Sequence, residues 1–581
     1  MLTTLPPEIF DIVIEQLSKR DLKSLSAVSR HTRLLSARTL WRSLVLRPVE
    51  GGMPYIRTTS IPQQCYQLST EFHFRSSEYL SCPHMGISNE DPSRWENDDT
   101  EEIEDDDEYL CLPYFDRIAR RARLVLSRFA DDQLRSFSWD LGICIPREIL
   151  GSNGIVTLHQ SRNLRSLHLI TNSWCGHAWG NNDTEIDLSS FRQLRSLGWK
   201  APSPKNLKAL LVALQLNSMH LQELDLDLVD LEAARTWTWV DENDEYENGS
   251  YDLGVILGMD RRSLRPYFPA LRVLSLTEVR ITPSMMAMAD FSTLAFLTLR
   301  RCPGFAEFLG HIAKQTSTIN LQRLEFEYWE GEAGQIREIR EFISAFVNLE
   351  ELFILPYGYH DAIDLWNTLA TNLRSLRKFV YHQTDRDEDN DHELMDLQDL
   401  SIARFNSKAL LGKNSIQHHP FSRLDLECLG LSCAPGKLLK SILRPFQTKN
   451  SLKLLHLRQS YKDLPYYKCL GLKKRFLDNG GLMSLDDGLK GGMMDQAEAL
   501  RGLRSRSRRF LEWAFGLNGL PSLQVVAFGD FSTSDAHSKH NIIACRDTNE
   551  STRFQIISPS HPKMYTILLE YGDVLRACPR M

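Results

Sequence analysis

Leu164, Leu167 and Leu169 are spaced apolar-x-x-apolar-x-apolar, and the same spacing returns along the chain from residue 134 onward. It stands at Leu134/Phe137/Trp139, Leu194/Leu197/Trp199, Leu221/Leu224/Leu226, Leu271/Leu274/Leu276, Leu294/Leu297/Leu299, Leu321/Leu324/Phe326 and Leu349/Leu352/Ile354. Further instances are Leu376/Phe379/Tyr381, Phe421/Leu424/Leu426, Leu452/Leu455/Leu457 and Leu523/Val526/Phe528. The steps between first positions are 30, 30, 27, 50, 23, 27, 28, 27, 45, 31 and 71, so seven of eleven fall between 27 and 31. A sustained period of this size signals a repeat architecture. The last two apolar positions are two apart and therefore point to one face of a short strand. Between the strands, 204–216, 305–314, 335–346 and 362–371 carry apolar residues at helical spacing. One strand and one helix per repeat predict an α/β solenoid with parallel strands, in which no repeat buries its own apolar face and the stack shares one core.

Residues 5–46 have a different texture. Pro6, Pro7 and Glu8 open a helix, since proline suits the first turn and an acid suits the positive end of the helix dipole. Ile9, Ile12, Val13, Gln16 and Leu17 follow at helical spacing. Ser18 is placed to cap a second helix striped by Leu22, Leu25 and Val28, and a third runs from about Arg30 to Arg42 with Leu34, Leu35, Leu40 and Trp41. Three short helices are near the lower size limit for independent folding, so this unit needs a neighbour or a partner.

Two resemblances follow from these residues. The string Leu5-Pro6-Pro7-Glu8-Ile9, Ile12, Leu17-Ser18, Arg20-Asp21-Leu22, Leu25, Val28-Ser29-Arg30 and Leu40-Trp41-Arg42 resembles an F-box. The recurring strand pattern resembles the leucine-rich repeat family in its longer, helix-bearing form, although the usual Asn or Cys after the last apolar position is mostly absent. Together they imply an F-box at 1–48, an irregular linker with an acidic loop and a helix at 49–130, a leucine-rich repeat solenoid at 131–535 and a cap or tail at 536–581. Insertions are expected near 228–262, 383–420 and 459–500. The F-box resemblance implies docking on the SKP adaptor and, through it, on a cullin. Leu5, Pro6, Ile9, Ile12, Leu17, Leu22, Leu25, Val28, Leu40 and Trp41 would bind the adaptor or build the module's core. A protein substrate would then lie on the repeats, and the chain would act as one copy in a hetero-complex. A non-degradative scaffold, bound to the adaptor without cullin, is the alternative.

Charge adds little to this picture. The chain holds 68 Lys and Arg against 75 Asp and Glu, a net charge of −7, so no global basic excess points to nucleic acid. Acid is concentrated instead in Glu96 to Glu108, Asp241 to Glu247 and Asp385 to Glu393, where like charges repel and favour solvated loops or docking strips. Arg501, Arg504, Arg506, Arg508 and Arg509 lead into an amphipathic stretch with Phe510, Trp513, Ala514 and Leu517. No apolar run approaches the roughly 18 residues that span a bilayer, and Met1 to Glu8 lacks the basic-then-apolar order of a secretory signal. Eleven scattered cysteines fit reduced thiols in a cytoplasmic or nuclear protein.

No phosphate-binding glycine loop, dinucleotide fingerprint or His-Glu-x-x-His motif occurs, and Cys428 and Cys433 are too isolated for a structural zinc site. No cofactor or metal is therefore expected, and the F-box resemblance implies a non-catalytic receptor subunit. In a solenoid the residues between the leucines face away from the core, which nominates His168, Asp225, Phe296, Arg300, Glu325, Tyr328, Phe353, His382 and Arg458 as substrate-facing positions.

Overall fold

The computed structural model describes residues 7–17, 19–47, 61–76, 108–173, 186–228, 266–315, 319–329, 335–346, 348–357, 362–382, 419–432, 437–458, 507–532, 541–547, 554–558 and 561–579. They form two compact units, one spanning 1–273 with 287–289 and the other 274–286 with 290–581. The acidic runs near 96, 241 and 385, Arg501, Arg504 and Arg506, and nearly all of the three expected insertions lie outside the described residues.

The first unit opens with three helices, α1 (Pro7–Glu15), α2 (Lys19–Val28) and α3 (Arg30–Leu40). Ser29 caps α3: its side chain accepts from the Thr32 backbone N–H at 3.1 Å, and the Ser29 N–H donates to the Thr32 hydroxyl at 3.1 Å. Two donors that the helix start leaves orphaned are thereby satisfied. Phe10, Ile14 and Leu22 form the buried centre, with Leu17, Leu25, Leu35 and Leu40 packed around it.

Six parallel strands then line up in chain order: β1 (Ser43–Leu46), β2 (Glu71–Arg75), β3 (Ser136–Asp140), β4 (Ser166–Ile170), β5 (Ser196–Lys200) and β6 (Glu223–Asp227). The register matches Leu44, Phe72, Phe137, Leu167, Leu197 and Leu224 across the sheet. The repeat therefore begins at residue 43, not at 131, and 49–130 is not merely a linker. Trp41/Leu44/Leu46 has the recurring spacing; in the next repeat Ser69 replaces the first apolar residue. Ser69 satisfies its buried hydroxyl by donating to the Cys65 carbonyl at 2.7 Å, which is why the pattern breaks in sequence while the fold continues. The helix expected within 49–130 is Glu108–Leu126.

The second unit carries β7 (Val273–Thr277, from Leu274), β8 (Phe296–Arg300), β9 (Arg323–Trp329), β10 (Glu351–Tyr357), β11 (Lys378–Tyr381), β12 (Cys428–Leu431), β13 (Leu454–Leu457), β14 (Val525–Phe528), β15 (Ile542–Arg546) and β16 (Phe554–Ile557). Strands β8 to β14 pair in parallel. The predicted helices appear at Leu207–Asn217, Phe305–Gln315, Gln335–Ser344 and Ala362–Asn372. They cover the leucine face: Phe305 stacks on Phe326 at 6.0 Å, and Trp366 meets Tyr381 edge-on at 5.9 Å.

Two expectations need correction. The repeat assigned to Phe421/Leu424/Leu426 is out of step, because Phe421 lies in a 3-10 turn (Pro420–Arg423) and the strand is β12. Leu426/Leu429/Leu431 has the same spacing, and only strand pairing chooses between the two. The parallel order also fails at the end, where β15 and β16 turn antiparallel. Residues 536–581, expected as a cap or tail, include the helix Pro562–Leu575, which lies on the strands' other face. Its Ile567, Tyr571, Val574 and Leu575 form one core with Phe353, Val380, Cys428, Leu454 and Val525.

Candidate functional site: the helical unit and the strand face opposite the leucines

Burial splits the proposed adaptor residues into two groups. Leu22 is buried, with Leu17, Leu25 and Leu40 beside it. Ile9 is 46%, Ile12 60% and Val28 74% exposed, as is Leu34 at 68%. Ile9 and Ile12 are one turn apart and share a face of α1. Trp41 is half-buried and closes α3 by donating its N–H to the Ala37 carbonyl at 3.0 Å. Leu5 and Pro6 lie outside the described residues. Phe10 and Ile14, which anchor this small core, are apolar at helical spacing but were not among the nominated positions.

In the first unit the face opposite the leucines is polar. Its central row runs Val45, His73, Ser138, His168, Gly198 and Asp225 in register. Asp225 is exposed and His168 half-exposed. A Cβ on Gly198 would come within 2.5 Å of His168 Cδ2, so the missing side chain at 198 is what lets the imidazole lie across the strand. Arg75 and Asp140 pair at 3.0 Å and Lys200 and Asp227 at 3.4 Å. Burial, with the positive Arg75 and Lys19 nearby, lowers the His73 pKa below the ordinary histidine value.

The same face in the second unit is largely filled by the chain itself. Glu325, Phe353, His382 and Arg458, nominated as solvent-facing, are buried. Tyr328 is buried on the other face: it has the parity of Leu324 and Phe326 and lies 5.9 Å from the Phe326 ring. Phe296 and Arg300 remain partly exposed. The Arg323 guanidinium sits 5.2 Å from the Phe296 ring and 5.5 Å from that of Phe353.

A polar network fastens the C-terminal segment to this face. Arg458 donates to the Ala577 carbonyl at 3.1 Å, to the Cys578 carbonyl, to Asp530 Oδ2 at 2.9 Å and to Ser532 Oγ at 3.0 Å. Glu325 accepts from Arg300 Nε at 2.8 Å and from the Cys578 N–H at 3.0 Å. Asp573, on the last helix, pairs with Arg323 at 3.0 Å and with Lys378. The positive Arg458 and the Ser532 bonds hold the Asp530 carboxyl at about 2 despite its burial. Desolvation lowers the His456 pKa to about 4 and that of His382 well below its ordinary value, with Arg458 adding to both. Burial raises the Glu327 pKa to about 7 against the pull of Arg300. His456, Asp530, Asp573 and Cys578 belong to this network, and of the four only His456-Leu457-Arg458 hinted at it, as polar residues alternating with leucine in one strand.

Among the described residues no cluster of three His, Cys, Asp or Glu side chains could hold a metal ion, and no helix is long and apolar enough to cross a membrane. No family model matches the chain, and neither does any curated protein.

Proposed function

We propose that this chain is the substrate-recognition subunit of a SKP–cullin–F-box ubiquitin ligase: the three helices dock the SKP adaptor and the strand repeats hold a protein substrate. The observation that carries the reading is the division of apolar residues in α1–α3. Phe10, Ile14 and Leu22 suffice for the internal core, while Ile9, Ile12 and Val28 stay in water. A unit this small that leaves branched aliphatic side chains exposed is suited to bury them in a partner. The residues around them are those that resemble an F-box. The chain itself would perform no chemistry. Its contribution is proximity, since a tethered substrate lysine reaches a charged conjugating enzyme at a high effective concentration.

The test is co-purification of the full chain beside an Ile9→Ala/Ile12→Ala/Val28→Ala variant. These side chains are exposed, so the variant keeps its core. The expected result is SKP adaptor and cullin with the parent chain and neither with the variant. Adaptor without cullin would favour the non-degradative scaffold, and no adaptor with either chain would refute the docking role.

A further inference from the structure

The residue immediately before most of the parallel strands occupies one structural position, because its N–H donates to the carbonyl of its counterpart one repeat earlier. In the first unit these bonds run from Arg135 to Thr70 at 2.7 Å, Arg165 to Arg135 at 2.8 Å, Arg195 to Arg165 at 2.7 Å and Gln222 to Arg195 at 2.7 Å. Three consecutive places in this row are therefore arginine, set by the recurring Leu-Arg-Ser of 134–136, 164–166 and 194–196. Neighbouring strands are about 4.8 Å apart, so three guanidinium stems rise in a line about 10 Å long.

All three arginines are exposed. None makes an ion pair among the described residues. Ser136, Ser166 and Ser196 head their strands and supply no compensating charge, and Arg192, three residues before Arg195, is also exposed. Like charges on adjacent strands repel and cost stability. The second unit treats the equivalent row oppositely. There the bonds link Glu350, Arg377, Glu427 and Lys453 in turn, and acid alternates with base. Arg377 pairs with Glu427 at 2.8 Å, and so does Lys453, also at 2.8 Å. One fold position thus pairs acid with base in one unit and carries three consecutive arginines in the other.

We infer that the Arg135–Arg165–Arg195 row is a docking strip for an acidic, Asp/Glu-rich segment of another protein. The planar guanidinium fork matches a carboxylate bidentately, and an uncompensated row gains most from a run of them. Single-stranded nucleic acid is less well served, because the row has no aromatic side chain for base stacking. The strip goes beyond the ligase reading and stands whether or not the helical unit docks an adaptor.

The probe is a fluorescein-labelled twelve-residue Glu/Asp peptide, titrated by anisotropy into the full chain at low salt. The comparison chains are Arg135→Gln/Arg165→Gln/Arg195→Gln and, as a reference that removes two exposed arginines from the second unit, Arg374→Gln/Arg423→Gln. The expected result is binding to the parent chain and the reference, weakened about tenfold or more in the triple variant, as three exposed ion pairs of ordinary worth predict. An Arg-to-Lys triple variant should keep part of the affinity, which separates loss of charge from loss of fold. Equal binding by the triple variant, or no binding by the parent chain, overturns the strip. Tighter arginine-dependent binding of a phosphopeptide or of single-stranded DNA of equal charge overturns the assigned partner.

Discussion

Arg458 is fully buried, and its charge is tolerable because Asp530, Ser532, two backbone carbonyls and His382 Nδ1 accept its hydrogen bonds. His382 and His456, packed edge to face at 5.2 Å beside it, are neutral for the same reason. A second cation in that space would be desolvated and repelled. His419 is likewise buried, accepting from the Phe421 N–H at 3.2 Å, and burial lowers its pKa to about 4. Each of these imidazoles takes up a proton more readily when unfolded, so its contribution is complete above about 6.5 and is lost as pH falls toward 4. Glu327 acts in the opposite sense: its pKa is raised to about 7, so its contribution is lost as pH rises from the ordinary carboxylate range to about 7. Three groups against one favour higher pH where the windows overlap. The thermal midpoint should therefore climb between about pH 4.5 and 6.5. A flat or falling profile in differential scanning fluorimetry would mean that the imidazoles are not buried as neutral groups.

At the scale of elements, the helix Pro562–Leu575 is a structural part of the second unit. Its buried side chains, Val574 and Leu575 among them, complete a core on strand positions that would otherwise be wet. Gly430 belongs to the same close packing, since a Cβ there would stand 2.9 Å from Val380 Cγ2. The helix has two unlike faces: Leu575 is 1% exposed, whereas Leu569 is 75% exposed. Leu575→Ala should therefore cost about 2–5 kcal/mol, while Leu569→Ala should stay within about 0.5 kcal/mol. Urea unfolding of the two variants checks this, and equal effects would mean that the helix does not pack by this face.

At the scale of the whole molecule, the two proposed contacts fall on different elements of the first unit. An adaptor would meet exposed aliphatic side chains on α1 and α2, and an acidic partner would meet arginines at the starts of β3 to β5. The aliphatic contact is hydrophobic and resists salt, while the arginine contact is screened within about 8–10 Å at physiological ionic strength. The Ile9/Ile12/Val28 alanine variant should thus keep acidic-peptide binding, and the Arg135/Arg165/Arg195 glutamine variant should keep the adaptor. Loss of both activities in either variant, in paired pull-down and anisotropy measurements, would show that the two regions are not independent.

Local pattern was enough to read most of the elements. The spacing Leu164/Leu167/Leu169 and its counterparts located strands because side chains alternate with a period of two, and 305–314 and 335–346 read as helices because their apolar residues recur every three to four. The three N-terminal helices were legible for the same reason. The start of the repeat was hidden by one serine at position 69, whose hydroxyl is satisfied by backbone carbonyls that only the folded chain brings near. Strand register also lay beyond local pattern, since Phe421/Leu424/Leu426 and Leu426/Leu429/Leu431 are equally spaced and pairing with Lys378–Tyr381 selects the latter. The largest difference concerns the face opposite the leucines. Alternation establishes that Phe353, His382 and Arg458 point away from the helix-covered side, but not what lies over them. Only tertiary structure decides that, because the C-terminal segment that covers Phe353 and Arg458 sits more than a hundred positions further along the chain, and a stripe on an amphipathic helix encodes the need for a surface without naming it.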